Sequence, residues 1–201
     1  MSCTQAKACG YHQNGITTQS QGRRDFLTLI SARLMELFKE LFSSLNQAAV
    51  RYMVAGGIAV NLYGIERATA DVDIVLELEK GNLSRFIRVA KKLSLRPKIP
   101  VKLDDFVDPE KRKSWRIDKG MMVFSLYDPK NPFFLIDIFT EIPFNFDEVY
   151  KKRKKIKFEN IFIPVAPIRE LIAMKEKSDR PQDRADVFYL KKIMNGWKDE
   201  K

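Results

Sequence analysis

Cysteine and histidine are nearly missing: Cys3, Cys9 and His12 are the whole supply in 201 residues. They stand close together, short of a four-ligand zinc spacing, and read as part of a reduced, flexible tail. No run approaches the roughly 18 uncharged apolar residues of a membrane helix. The opening residues also lack the basic, apolar, small-residue order of a signal peptide, so a cytoplasmic protein that stays off the membrane is expected. No segment repeats at a fixed period, which argues against a solenoid. Acidic residues are in deficit, 26 against 36 basic ones, for a formal charge of +10 with His12 neutral. That surplus favours a polyanionic partner, nucleic acid or nucleotide, over plain solubility.

What remains is the composition of an ordinary globular protein with a sizeable core, 45% hydrophobic and 31% charged. Residues 1–22 are polar and aperiodic and read as a disordered leader, or as sequence upstream of the functional start. Residues 23–201 read as a single domain, with a core over about 34–165 and C-terminal helices over 167–195. Apolar residues from Phe26 to Leu45 recur at steps of three and four, which predicts an amphipathic helix. Arg51–Ala55 predicts a short strand running into Gly56 and Gly57, and Ile58–Tyr63 a helix stopped by Gly64. Asp71–Leu76 alternates and is β-branched, as a strand requires, and Leu83–Leu93 is a helical run. Residues 96–119 contain Pro97, Pro100 and Pro109 and read as a loop. Strands follow at Met121–Leu126 and Phe133–Phe139, then a hairpin around Glu159-Asn160, then helices on either side of Pro181. The order predicts an α/β protein of α+β type: one mixed, twisted sheet flanked by helices, with a C-terminal helical appendage.

Asp71 and Asp73 are two residues apart on a strand, so their side chains leave the same face about 6–7 Å apart at the backbone. Val72 and Ile74 point the other way, into the core. Two carboxylates so close repel unless a cation joins them, and magnesium prefers hard carboxylate oxygens while keeping positions open for phosphate. Asp137 stands in the apolar run Phe134–Phe139, where a charge is costly unless that strand lies beside the Asp71 strand and faces the same site. Three aspartates around one or two Mg2+ ions would hold a nucleoside triphosphate, with Asp137 as general base for an attacking hydroxyl. Gly56 and Gly57, at a strand–helix junction, allow close backbone approach to phosphate. No Gly-Lys-Ser or Gly-Lys-Thr follows, so this is not a P-loop, and it is not a dinucleotide fingerprint.

Val54-Ala-Gly-Gly, the spacer Ile58 to Ala70, Asp71-Val-Asp-Ile and the later Leu-Ile-Asp137-Ile together resemble the signature of the nucleotidyltransferase superfamily related to DNA polymerase beta. Within it the chain is most similar to the small prokaryotic abortive-infection (AbiEii-like), toxin-type branch, over roughly Leu34 to Ile193. The resemblance implies the nucleotidyltransferase fold, metal binding by Asp71, Asp73 and Asp137, and phosphate binding by Gly56 and Gly57. It places Arg67 and Thr69 beside the triphosphate. Lys175 and Arg180 match C-terminal nucleotide or acceptor contacts, but a usual lysine is replaced by Gln182; Asp183 and Asp186 read as structural.

The densest charge run is Lys151, Lys152, Arg153, Lys154, Lys155 and Lys157, and a scattered basic field surrounds Trp115. A phosphate-contacting surface for RNA such as tRNA, with Trp115 stacking, is one reading; an acidic protein partner such as a cognate antitoxin, or a solvated face, are the others. The leading function is transfer of a nucleoside monophosphate from NTP to a hydroxyl of RNA or protein, in the toxin half of a toxin–antitoxin pair. Terminal phosphoryl transfer and a nucleotide-binding regulatory module with little turnover remain as alternatives.

Overall fold

The computed structural model describes residues 33–69, 71–178 and 180–196. The leader 1–22 and the first part of the expected long helix lie outside them. The chain divides into two compact units, 1–38 and 39–201. In the first, Arg33 pairs with Glu36 one turn on, at 3.0 Å.

Residues 33–47 are helical (α1). In the second unit Leu41, Phe42 and Leu45, on the expected three- and four-residue steps, are at most 1% exposed, and Phe42 stacks on Tyr52 at 6.1 Å between ring centroids. The chain continues through β1 (Tyr52–Val54), α2 (Gly56–Leu62), β2 (Asp71–Leu76), α3 (Lys80–Lys92) and β3 (Arg96–Pro97). A 3-10 turn at Leu103–Val107 leads to α4 (Pro109–Lys119), β4 (Val123–Asp128), β5 (Asn131–Phe139) and α5 (Phe146–Lys151). Then come β6 (Lys154–Phe158), β7 (Ile161–Val165), α6 (Ile168–Ser178) and α7 (Pro181–Met194). The seven strands form one mixed sheet in the order β3-β4-β5-β2-β1-β7-β6. No helix of the described residues is long and apolar enough to cross a membrane.

The expected loop at 96–119 instead holds β3, the 3-10 turn and α4. Pro109 opens α4 rather than breaking it: the Asp108 carboxylate accepts the Glu110 N–H at 2.9 Å, and proline suits the first helical position because its missing N–H would have no partner there. Gly120, at φ +61°, ends the helix in the left-handed conformation. The sequence pattern does not predict α5 either; at six residues it is too short to show a period, and Asn145 caps it by accepting the Glu148 N–H at 3.2 Å.

α4 also corrects the reading of Trp115 as a nucleic-acid stacking group. Trp115 is 5% exposed and stacks on Phe124 at 5.5 Å, which in turn stacks on Phe106 at 4.8 Å. Lys111, Lys113 and Lys119 stand exposed on α4, whose inner side holds the indole. Arg112 in the same field is buried as well and donates to the carbonyls of Phe106 and Val107 at 2.7 and 3.0 Å. Trp115→Ala is therefore expected to cost about 3–5 kcal/mol of stability in urea unfolding, as a large core truncation does. A loss below about 1 kcal/mol would return the indole to the surface.

Candidate active site

The site begins with strand pairing. β2 runs parallel to β5 with Asp73 opposite Asp137 and Asp71 opposite Leu135, and β4 brings Ser125 opposite Asp137 on the other side. Direct partners on neighbouring strands share a face about 4.8 Å apart. Asp71, Asp73 and Asp137 are thereby gathered, half-buried, on one face, while Val72, Ile74, Ile136 and Ile138 on the other are 0% exposed.

Charge crowding shows in the acidity. Burial, then the neighbouring Asp137 and Asp71, push the Asp73 carboxyl up to about 6, against the opposing pull of the Gly57 N–H and the Lys175 ammonium. Asp71 is raised for the same reasons, burial and then Asp137, with Lys98 acting the other way. These are hard oxygen donors with a surplus of negative charge, which fits a divalent cation. As the side chains stand, no three His, Cys, Asp or Glu groups among the described residues converge on a point that a metal ion would occupy.

The glycine turn fits over this face. The Ala55 N–H donates to the Asp73 carbonyl oxygen at 2.8 Å, tying the turn to β2. Gly56 has φ +59°, and a Cβ there would fall onto the Asp73 carboxylate, 2.8 Å from its Cβ. A Cβ on Gly57 would stand 2.5 Å from Thr69 Oγ1 and 3.1 Å from Arg67 Cζ. Both glycines are required by close approach, and Gly56 by its backbone angle as well. Gly56→Ala is expected to lower stability by at least about 1 kcal/mol in urea unfolding, the cost of a left-handed alanine before any clash. Unchanged stability would show that the turn tolerates displacement from Asp73.

Arg67 and Lys175 meet in one buried ion cluster. Arg67 pairs with Asp186, and Lys175 donates to Asp186 at 2.6 Å and to Asp183 at 3.1 Å. Lys175 and Asp186 are 6% and 3% exposed. Burial works against ionisation of Asp183, but the Ser178 hydroxyl, the Lys175 ammonium and Arg180 together hold its carboxyl below the ordinary value. The cluster joins the loop before β2 to α6 and α7, and the Asn61 side chain fixes that loop by exchanging 3.1 Å hydrogen bonds with the Arg67 backbone. The Arg67 Nε is buried without a hydrogen-bond partner. The two cations expected to reach toward nucleotide are thus held by carboxylates, and Asp186, expected to be structural, anchors both. Arg180 is outside the cluster proper: its side chain is 80% exposed, 4.0 Å from Asp183.

The basic tract does not form one continuous face. Lys151 lies in α5 and Lys152 caps it, while Lys154, Lys155 and Lys157 alternate along β6, the edge strand. Period-two geometry sends Lys155 and Lys157 to one side and Lys154 to the other. Sequence reasoning missed Lys98 as a site residue: its N–H donates to the Ser125 carbonyl at 2.9 Å, placing it on the row that includes Asp137 and next to Asp71. No local pattern marked it, because β3 is only two residues long.

No protein-family model and no curated protein sequence matches the chain. Among solved structures, it resembles the antibiotic-resistance factor ANT(2'')-Ia, with TM-score 0.53 and 10% identity over 82% of this chain and 85% of that one. The lincosamide antibiotic adenylyltransferase LnuA, bound to lincomycin, superposes with TM-score 0.51 and 16% identity over 77% of this chain and 96% of that one. A candidate nucleotidyltransferase from Thermotoga maritima gives TM-score 0.51 and 13% identity over 83% and 95%. At such identities the likeness speaks for architecture: the chain has the nucleotidyltransferase fold, a mixed α/β sheet flanked by helices.

Proposed function

We propose that the protein transfers a nucleoside monophosphate from an NTP to a hydroxyl acceptor. The observation that carries this reading is the in-register pairing of Asp73 with Asp137, with Asp71 two residues away on the same face and the Gly56-Gly57 turn against Asp73. Its fold neighbours include a lincosamide adenylyltransferase and ANT(2'')-Ia, solved in complex with adenylyl-2''-tobramycin, which supports adenylyl-type transfer as the chemistry this architecture suits.

Asp71, Asp73 and Asp137 would hold divalent metal, Mg2+ being the ion that suits such oxygens. Bound there, it would neutralise triphosphate charge and polarise the reacting oxygens. The chain's own groups do the rest. The glycine turn brings backbone N–H groups to phosphate, Lys98 and Thr69 supply positive potential and a hydrogen bond beside it, and the Asp183 and Asp186 carboxylates fix Arg67 and Lys175 behind the loop that carries Thr69. Asp137 takes the proton of the attacking hydroxyl; the hydroxyl oxygen bonds to the α-phosphorus, and the bond to the departing pyrophosphate breaks. RNA or protein is the acceptor in this proposal, and a toxin role under control of an antitoxin partner extends it on the strength of the sequence resemblance.

The test uses purified protein, Asp71→Ala and Asp137→Asn with Mg2+, each α-labelled NTP, and total RNA or cell lysate. Label transferred by the parent and reduced at least about 100-fold in both variants is the expected result. Label transferred from γ-labelled NTP, with ADP released, would replace the proposal by phosphoryl transfer. Mg2+-dependent NTP binding without any transfer would leave a regulatory binding module.

A further inference from the structure

An open cavity of about 670 Å³ lies between the end of α2, the α5–β6 junction and the start of α6. Its walls include Tyr63, Lys152, Arg153, Lys154, Arg169 and Glu170, four cations facing one carboxylate. Part of the wall is held ready. The Arg153 guanidinium lies 3.7 Å from the centroid of the Tyr150 ring and donates to the Tyr150 carbonyl at 2.5 Å. The Lys154 ammonium lies 5.1 Å from the centroid of the Tyr63 ring. Burial, then Glu170, push the Tyr63 phenol up to about 12, so it stays neutral and donates to the Ala166 carbonyl at 3.0 Å. Glu170 is the exception in this wall, the single carboxylate among its cations.

Position ties the cavity to the aspartates. The Ala55 N–H bonds to the Asp73 carbonyl at 2.8 Å, and the Ala166 N–H to the Val54 carbonyl at 2.9 Å. Ala166 is therefore two strand spacings, about 10 Å, from Asp73 on the same rim of the sheet, and Pro167, next along, lines the cavity.

We infer that this cavity is a ribonucleotide subsite, in which Lys152, Arg153, Lys154 and Arg169 take a phosphodiester and Glu170 accepts a hydrogen bond from the ribose 2′-hydroxyl. Cations alone would bind any polyanion. A carboxylate set among them repels phosphate unless the ligand also brings a donor, and the 2′-hydroxyl is the donor by which a protein distinguishes RNA from DNA. The inference deepens the proposed transfer by naming RNA as the acceptor, whose terminal hydroxyl would reach the aspartates along the rim.

Fluorescence anisotropy with the full chain, in the absence of NTP and divalent metal, tests it using 5′-labelled single-stranded RNA and DNA of one sequence. The parent is expected to favour RNA about tenfold, the worth of one hydrogen bond to a charged group. Arg169→Glu and Lys152→Glu should each weaken both oligonucleotides and lower the salt dependence by about one counterion. Glu170→Ala should retain binding and lose the RNA preference, while Glu170→Gln, still an acceptor, should keep part of it; circular dichroism checks that each variant is folded. Equal affinity for RNA and DNA in the parent, no response to Arg169→Glu, or equally tight binding of polyglutamate would each overturn the inference. RNA binding with no transfer activity would instead remove the proposed function and leave this site standing; transfer to RNA that ignores Arg169 and Glu170 would do the reverse.

Discussion

Asp73→Asn is expected to abolish nucleotidyl transfer, by about 1000-fold or more, and at the same time to stabilise the metal-free protein above pH 7. The two effects share one cause. The folded protein raises the Asp73 carboxyl from 3.8 to about 6, so the native state binds the proton more tightly than the unfolded chain. The stability this group contributes is fully present below about pH 3.8 and is lost as pH rises through about 6. At pH 8 the ionised carboxylate therefore destabilises the metal-free fold, on the order of 2 kcal/mol after discounting for partial exposure. Asparagine removes that charge, and its amide oxygen still accepts from the Gly57 N–H. Thermal melts from pH 4 to pH 8 should show the variant's advantage growing with pH, and added Mg2+ should raise the parent's Tm more at pH 8 than at pH 5. A variant that melts below the parent at pH 8 without metal would mean that Asp73 is stabilising as a free carboxylate, and the crowding argument would fail.

Removing Asp186 carries the other large effect. Asp186→Ala strips the shared counter-ion from two cations, one of them Lys175 at 6% exposure, and is expected to cost about 3–5 kcal/mol in urea unfolding. The exposed pair Lys191–Glu176, whose side chains are both 51% exposed, provides the contrast: Lys191→Ala should cost less than about 1 kcal/mol. Arg67, released from its anchor, should also raise the KM for NTP without a matching change in its base preference. Equal costs for the two alanine variants would mean that the Asp186 cluster is solvated in solution and positions nothing.

Much of the site was legible along the chain because covalent geometry is local. Alternation on a strand places Asp71 and Asp73 on one face and Val72 and Ile74 on the other wherever that strand ends up. A Gly-Gly pair between a strand and a helix announces close backbone approach; the expected neighbour is phosphate, and the one the fold supplies is the Asp73 side chain, against Gly56 at φ +59°. The described part of α1, the succession of the main strands along the chain and the paired C-terminal helices were readable for the same reason. Pro109 misled, since proline speaks equally for breaking a helix and for starting one, and only the Asp108 cap distinguishes the two.

By itself, then, the sequence determined which side chains share a face of each strand or helix, and therefore the aspartate pair, the glycine turn and the apolar stripes. Tertiary structure alone decided what stands opposite what. Asp137 meets Asp73 because β5 inserts between β4 and β2, and Arg67 meets Asp186 across 119 positions of chain. Trp115 is withdrawn from any ligand by Phe124, and the lysine run is divided between the two sides of an edge strand. Those are choices of strand order and helix docking, set by which apolar faces bury best together, and no local period encodes them.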